Sequence, residues 1–130
     1  MQHQLLRAAF LVGAVTDGLA VLPFLSPPLA RMVWGMAGAG GAYRLAAGYG
    51  ASLMLGWTFL LVWAYRKPLE RRFVAALTIV VILGLVVTEI LGLLAGSLSR
   101  PLMAPVLCLQ AGLLVLFAAG YLQSRKPIPA

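Results

Sequence analysis

The sequence predicts an all-α integral membrane protein, with four transmembrane helices packed in one left-handed bundle that forms a single domain over residues 1–130. Three observations predict it. The 130 residues are 62% apolar and only 10% charged, where an ordinary soluble domain carries about 25% charged residues. The apolar residues fall into four runs, each near the ~20 residues that a helix needs to cross a bilayer. The Lys and Arg residues gather at the ends of those runs, where they fix orientation and meet anionic lipid headgroups. That placement reads the net charge of +7 as contact with the bilayer and its headgroups, not with nucleic acid.

The first span runs from about Leu5 to Leu25, with Arg7 snorkelling to the interface. A secretory signal would have a shorter apolar region and a small-residue cleavage site. This run is longer and ends in Pro23, Pro27 and Pro28, so a retained helix terminated by the prolines is expected. Residues 23–42 form the longest connection. A short interfacial helix is expected over Leu29–Met36, with Trp34 at headgroup depth and Arg31 in water. The glycines at 35, 38, 40 and 41 suggest a flexible return, and no G-K-[ST] follows to make a phosphate loop.

The second span covers about Tyr43–Tyr65, with Tyr43 and Tyr49 marking one interface and Trp63 and Tyr65 the other. The connection RKPLERR follows, its Arg66, Lys67, Arg71 and Arg72 offset only by Glu70. The third span, Phe73–Gly96, has twenty-four residues and one charge, Glu89, and is expected to be the helix around which the others are placed. A turn from Ser97 to Pro101 leads to the fourth span, about Leu102–Leu122, with Pro105 near its first turn. The tail QSRKPIPA is polar and expected to fray.

Four spans put both termini on one side. That side and the RKPLERR loop hold Arg7, Arg66, Lys67, Arg71, Arg72, Arg125 and Lys126, against Arg31, Arg44 and Arg100 on the other. The asymmetry predicts a multi-pass cell-membrane protein with both termini cytoplasmic. An internal echo accompanies it. Thr16-Asp17 and Thr88-Glu89 stand 72 positions apart, and Arg-Lys-Pro recurs at 66–68 and 125–127. Two duplicated helical hairpins would leave such a trace.

An ionisable residue inside a span is costly and is a functional-site candidate by default. Glu89 lies seven residues before Gly96 and Asp17 six before Pro23, which places both acids in the outer half of the bilayer. All four spans can then offer a polar group to one outer cavity: Asp17, Arg44 or Ser52, Glu89 and Gln110. In one reading the acids line a water-accessible site that exchanges a proton or a cation. In the other each acid pairs with an arginine, most simply Arg44, and locks the bundle.

Small residues recur at i+4 spacing. Gly84, Thr88, Gly92 and Gly96 mark the third span, Gly48, Ser52 and Gly56 the second, and Ala104, Cys108 and Gly112 the fourth. Such faces let helices approach closely, within the chain, in a homo-oligomer or against another subunit. Gly48, Gly56, Gly84, Thr88, Gly92, Gly96 and Gly112 are therefore expected helix-packing positions. His3 is the only histidine and Cys108 the only cysteine, so a bis-histidine haem, a histidine metal site and a disulfide within the chain are excluded. No Ser/His/Asp set can be assembled, and neither a cofactor nor a metal is called for.

In size and span number the chain resembles the small multidrug transporters and the small fluoride channels. Its acid Asp17 stands toward the far end of the first span rather than mid-helix, and phenylalanine-rich polar segments are absent, so the sequence is assigned to neither family. The sequence leaves three functions: a transporter or channel-like protein using the intramembrane carboxylates, a non-catalytic accessory subunit of a larger membrane complex, or a membrane-embedded enzyme acting on lipid or quinone.

Overall fold

The computed structural model describes residues 2–35 and 40–125. The described elements are five helices, with no strand among the described residues: α1 (Gln2–Leu25), α2 (Pro27–Trp34), α3 (Gly41–Arg66), α4 (Phe73–Leu94) and α5 (Arg100–Ser124). All but α2 are long and apolar enough to cross a membrane.

The helix ends follow from local chemistry. Pro23 does not end α1, contrary to the sequence expectation, but lies inside it. A proline so near the terminus forfeits little of the helical ladder, and Ser26 N–H still reaches Leu22 O at 3.0 Å. Pro27 and Pro28 open α2, where the first amides would have no partner anyway. α2 thus starts two residues before the predicted short helix. It closes at Gly35, which has φ 70° and returns its N–H to Arg31 O. Met36 and Gly38, and the tail beyond Arg125, lie outside the described residues.

α4 ends two residues before the predicted boundary, in a complete Schellman motif. Ser97 N–H bonds Gly92 O at 3.0 Å and Gly96 N–H bonds Leu93 O at 3.2 Å, with Gly96 at φ 71°. At the other end of the chain's last span, α5 starts at Arg100, so Pro105 sits in the second turn rather than the first.

Side-chain contacts fix the direction of each helix. At one end Phe24 of α1 fills the space beside Gly50 of α3, and Gly35 meets Ser99 and Leu102 at the start of α5. Trp34 packs its ring on Phe24, with centroids 4.8 Å apart. At the opposite end Gly120 of α5 abuts Leu6, the Arg7 guanidinium lies 4.5 Å over the Tyr65 ring, and Arg72 Nη1 donates to Ser124 O at 3.1 Å. The four long helices therefore alternate in direction.

The helix around which the others are placed is α1, not α4. α1 packs along both α3 and α5, whereas α4 packs mainly on α5. The reason is size. The inward face of α1 carries Ala9, Gly13 and Ala14, which admit two neighbours, and a Cβ on Gly13 would already lie 2.8 Å from Phe117 and 3.1 Å from Leu61. Leu6, Phe10, Leu61 and Phe117 are fully buried and join Val74, Ala75 and Ile82 in one cluster. That cluster occupies the half of the structure nearest the 67–72 connection. The outward faces are apolar instead of polar, with Leu53, Val80, Leu94 and Val115 largely exposed.

Candidate functional site

The other half of the structure holds the acids. On α4 the buried positions Val74, Thr78 and Ile82 lead, one helical step at a time, through Val86 to Glu89. On α5 the inward stripe Phe117, Leu113, Gln110, Met103 runs past the same level. Glu89 and Gln110 therefore interrupt the inward stripes of their two helices with polar side chains. Gln110 is 8% exposed, and its Nε2 donates to Glu89 Oε1 at 2.9 Å. Glu89 Oε2 and Gln110 Oε1 are also buried and have no hydrogen-bond partner. Two acceptor oxygens are thus left facing protein with no donor between them, which is rare because an unsatisfied buried polar atom costs about 1–3 kcal/mol.

Asp17 continues the inward stripe of α1 one turn beyond Gly13 and Ala14 and is half-buried. Its neighbour Gly18 faces Thr58 of α3, whose hydroxyl is committed to Met54 O at 2.8 Å. Counting from the Gly13–Phe117 contact along two antiparallel helices puts Asp17 near the level of Leu113 on α5. Asp17 and the Glu89–Gln110 pair thus occupy the same half of the structure, with no hydrogen bond joining them.

The remaining two candidates are elsewhere. Arg44 and Ser52 are exposed on α3 and line a shallow groove of about 310 Å³ with Leu45, Gly48 and Tyr49. Neither acid lines that groove. The expected Arg44 ion pair is also absent. Among the described residues the one salt bridge is Lys67–Glu70, 3.1 Å long and in the 67–72 connection. Arg44 stands on the outward face of α3, whereas both acids lie on inward stripes of their own helices.

Most of the small-residue positions also lie away from helix contacts within the chain. A Cβ on Gly48, Gly56, Gly84 or Gly112 would meet nothing within 4 Å, so these residues face outward and not a neighbouring helix of this chain. Thr88 is exposed and returns its hydroxyl to Gly84 O at 2.9 Å. Gly96 is a helix cap, and Gly92 seats Leu98 of the following turn, 2.6 Å from where its Cβ would be. The glycines at true helix contacts are Gly13, Gly18, Gly50 and Gly120. Their signal in the sequence is their register with Leu6, Phe10 and Phe117, not spacing from one another.

Two further polar features have no signal in the sequence pattern. Trp57 Nε1 donates to Thr78 Oγ1 at 3.3 Å and ties α3 to α4. At the basic end, Arg7, Arg66, Lys67, Pro68, Leu69 and Glu70 surround an open cleft of about 280 Å³, while Arg71 lies 3.5 Å over the Trp63 ring and also donates to the Trp63 carbonyl. No protein-family model matches the chain, and comparison with curated proteins and with solved structures gave no match.

Proposed function

We propose that the chain is a four-span integral membrane protein, folded as one bundle, that acts as a small transporter or channel-like protein through its intramembrane carboxylates Asp17 and Glu89. The observation that carries this reading is the buried contact between Glu89 and Gln110 with two oxygens left open. An acid kept at membrane depth without a cationic partner is expensive, and a purely structural role is better served by an apolar residue. The apolar outward faces support the bilayer placement, because exposed Leu and Val over all sides of a structure are untenable in water and ordinary in lipid. The seven-to-three distribution of Lys and Arg supports cytoplasmic termini and contact of the basic end with anionic headgroups.

The experiment is flux in proteoliposomes. Purified protein should dissipate an imposed cation or proton gradient, and Glu89→Gln should abolish the flux while the protein stays folded. Equal flux from wild type and Glu89→Gln, or no flux of protons or monovalent cations above empty vesicles, would remove the proposal.

A second reading is favoured by one observation. Gly48, Gly56, Gly84 and Gly112 all face outward with open space beside them, which suits close approach of a second copy or another subunit. A homo-oligomer is compatible with transport. An accessory subunit of a larger membrane complex is not, and purification in a mild detergent separates them by the mass and composition of what co-elutes.

A further inference from the structure

We infer that Glu89 and Gln110 form a one-proton binding site, in which a proton on Glu89 Oε2 is donated to Gln110 Oε1. This deepens the reading of that site as functional by naming what it binds.

The inference comes from which atoms are unpartnered. An ionised carboxylate accepts hydrogen bonds and donates none, and a glutamine amide offers donors on nitrogen and acceptors on oxygen. Gln110 Nε2 already donates to Glu89 Oε1 at 2.9 Å. The two buried atoms left over are the second carboxyl oxygen and the amide oxygen of the same two side chains. Both are acceptors, so no rearrangement of an ionised pair can satisfy both. A single proton does. It converts Glu89 Oε2 into an O–H donor, and its natural acceptor is the amide oxygen of the side chain whose nitrogen already holds the other carboxyl oxygen. The result is a two-bond ring between a carboxylic acid and an amide. Loss of the proton reopens both acceptors, so binding and release at this site exchange one proton.

The surroundings are compatible with this chemistry. Glu89 is the only ionisable residue of α4. α5, which packs on α4, brings Cys108 near Gln110 in sequence, with Arg100 at its start and Tyr121 toward its end. α3, which also touches α4, brings Tyr43, Arg44 and Tyr49 at the same end of the structure and Tyr65 and Arg66 at the other. α1 brings Asp17. Among the described residues no Arg or Lys lies within salt-bridge distance, 4.0 Å, of the Glu89 carboxyl. A cation there would have competed with the proton.

The test is infrared spectroscopy of the purified protein in lipid vesicles, compared in light and heavy water. The expected result is a protonated-carboxyl C=O band at neutral pH that shifts on deuteration, disappears in Glu89→Gln, survives in Asp17→Asn and moves to higher frequency in Gln110→Leu. Should Glu89→Gln fail to fold, isotope labelling replaces it. The chain has two glutamates, Glu70 and Glu89. Glu70 is exposed in the 67–72 connection, so Glu70→Gln protein labelled with carboxyl-¹³C glutamate reports Glu89 alone. An ionised carboxylate band from that labelled protein at neutral pH, or a protonated Glu89 band that Gln110→Leu leaves unmoved, overturns the proposal. The measurement needs no flux. A Glu89 acid band in protein that carries nothing across vesicles keeps the proton site and removes the transport reading, and flux without the band does the opposite.

Discussion

Phe117 of α5 occupies the space that a side chain at Gly13 of α1 would need. A Cβ built there stands 2.8 Å from the Phe117 ring and 3.1 Å from Leu61, and Phe117 and Leu61 are fully buried. Neither can yield without displacing the core. Gly13→Ala is therefore expected to destabilise by about 1–3 kcal/mol, the usual cost of overpacking, despite the ~1 kcal/mol by which alanine is the better helix former. Gly112→Ala meets nothing within 4 Å and should be neutral or slightly stabilising. Unfolding in detergent measures both. Equal effects from the two substitutions would mean that α1 and α5 do not approach as described.

Thr78 links two helices through one hydroxyl. It donates to Val74 O at 2.8 Å and accepts from Trp57 Nε1 at 3.3 Å, and is 3% exposed. Thr78→Val keeps the volume and orphans the indole N–H. A loss of about 1 kcal/mol is expected, since interhelical hydrogen bonds in membranes are modest. Trp57→Phe should make the second substitution harmless, and a double-mutant cycle in detergent reads that coupling. Additive losses would show that the bond contributes nothing.

Gly96 matters for its backbone and not for packing. Its φ of 71° places it in the left-handed region, and a Cβ there would touch nothing. Gly96→Ala should cost about 1–2 kcal/mol through conformation alone. Gly96→Asn should cost less, because asparagine visits that region more readily. Equal losses for alanine and asparagine would argue against a Schellman end to α4.

The charge distribution makes a topological prediction. Reporter fusions after Lys67 and at the C-terminus should behave as cytoplasmic, following the excess of Lys and Arg on that side. A reporter active only on the outer side, working at either position, would invert the assignment and place Glu89 in the inner half of the bilayer.

The long helices are legible in the order of residues alone. In the bilayer proposed for this chain, apolar runs of this length must satisfy their backbone within each segment, and the four long helices match the runs to within a few residues. The order of residues also determined that Asp17, Glu89 and Gln110 share one half of the structure, because depth along a helix is a matter of counting residues. Partners were set by the packing of the helices. It made α1 the hub, gave Glu89 an amide in place of Arg44, and turned Gly48, Gly56, Gly84 and Gly112 outward. The physical reason is that all faces of these helices are apolar. In a soluble protein a polar face tells which side of a helix looks inward. Here that contrast is missing, and rotation about each helix axis is set by where small side chains such as Gly13 and Gly120 let large ones such as Phe117 and Leu6 approach.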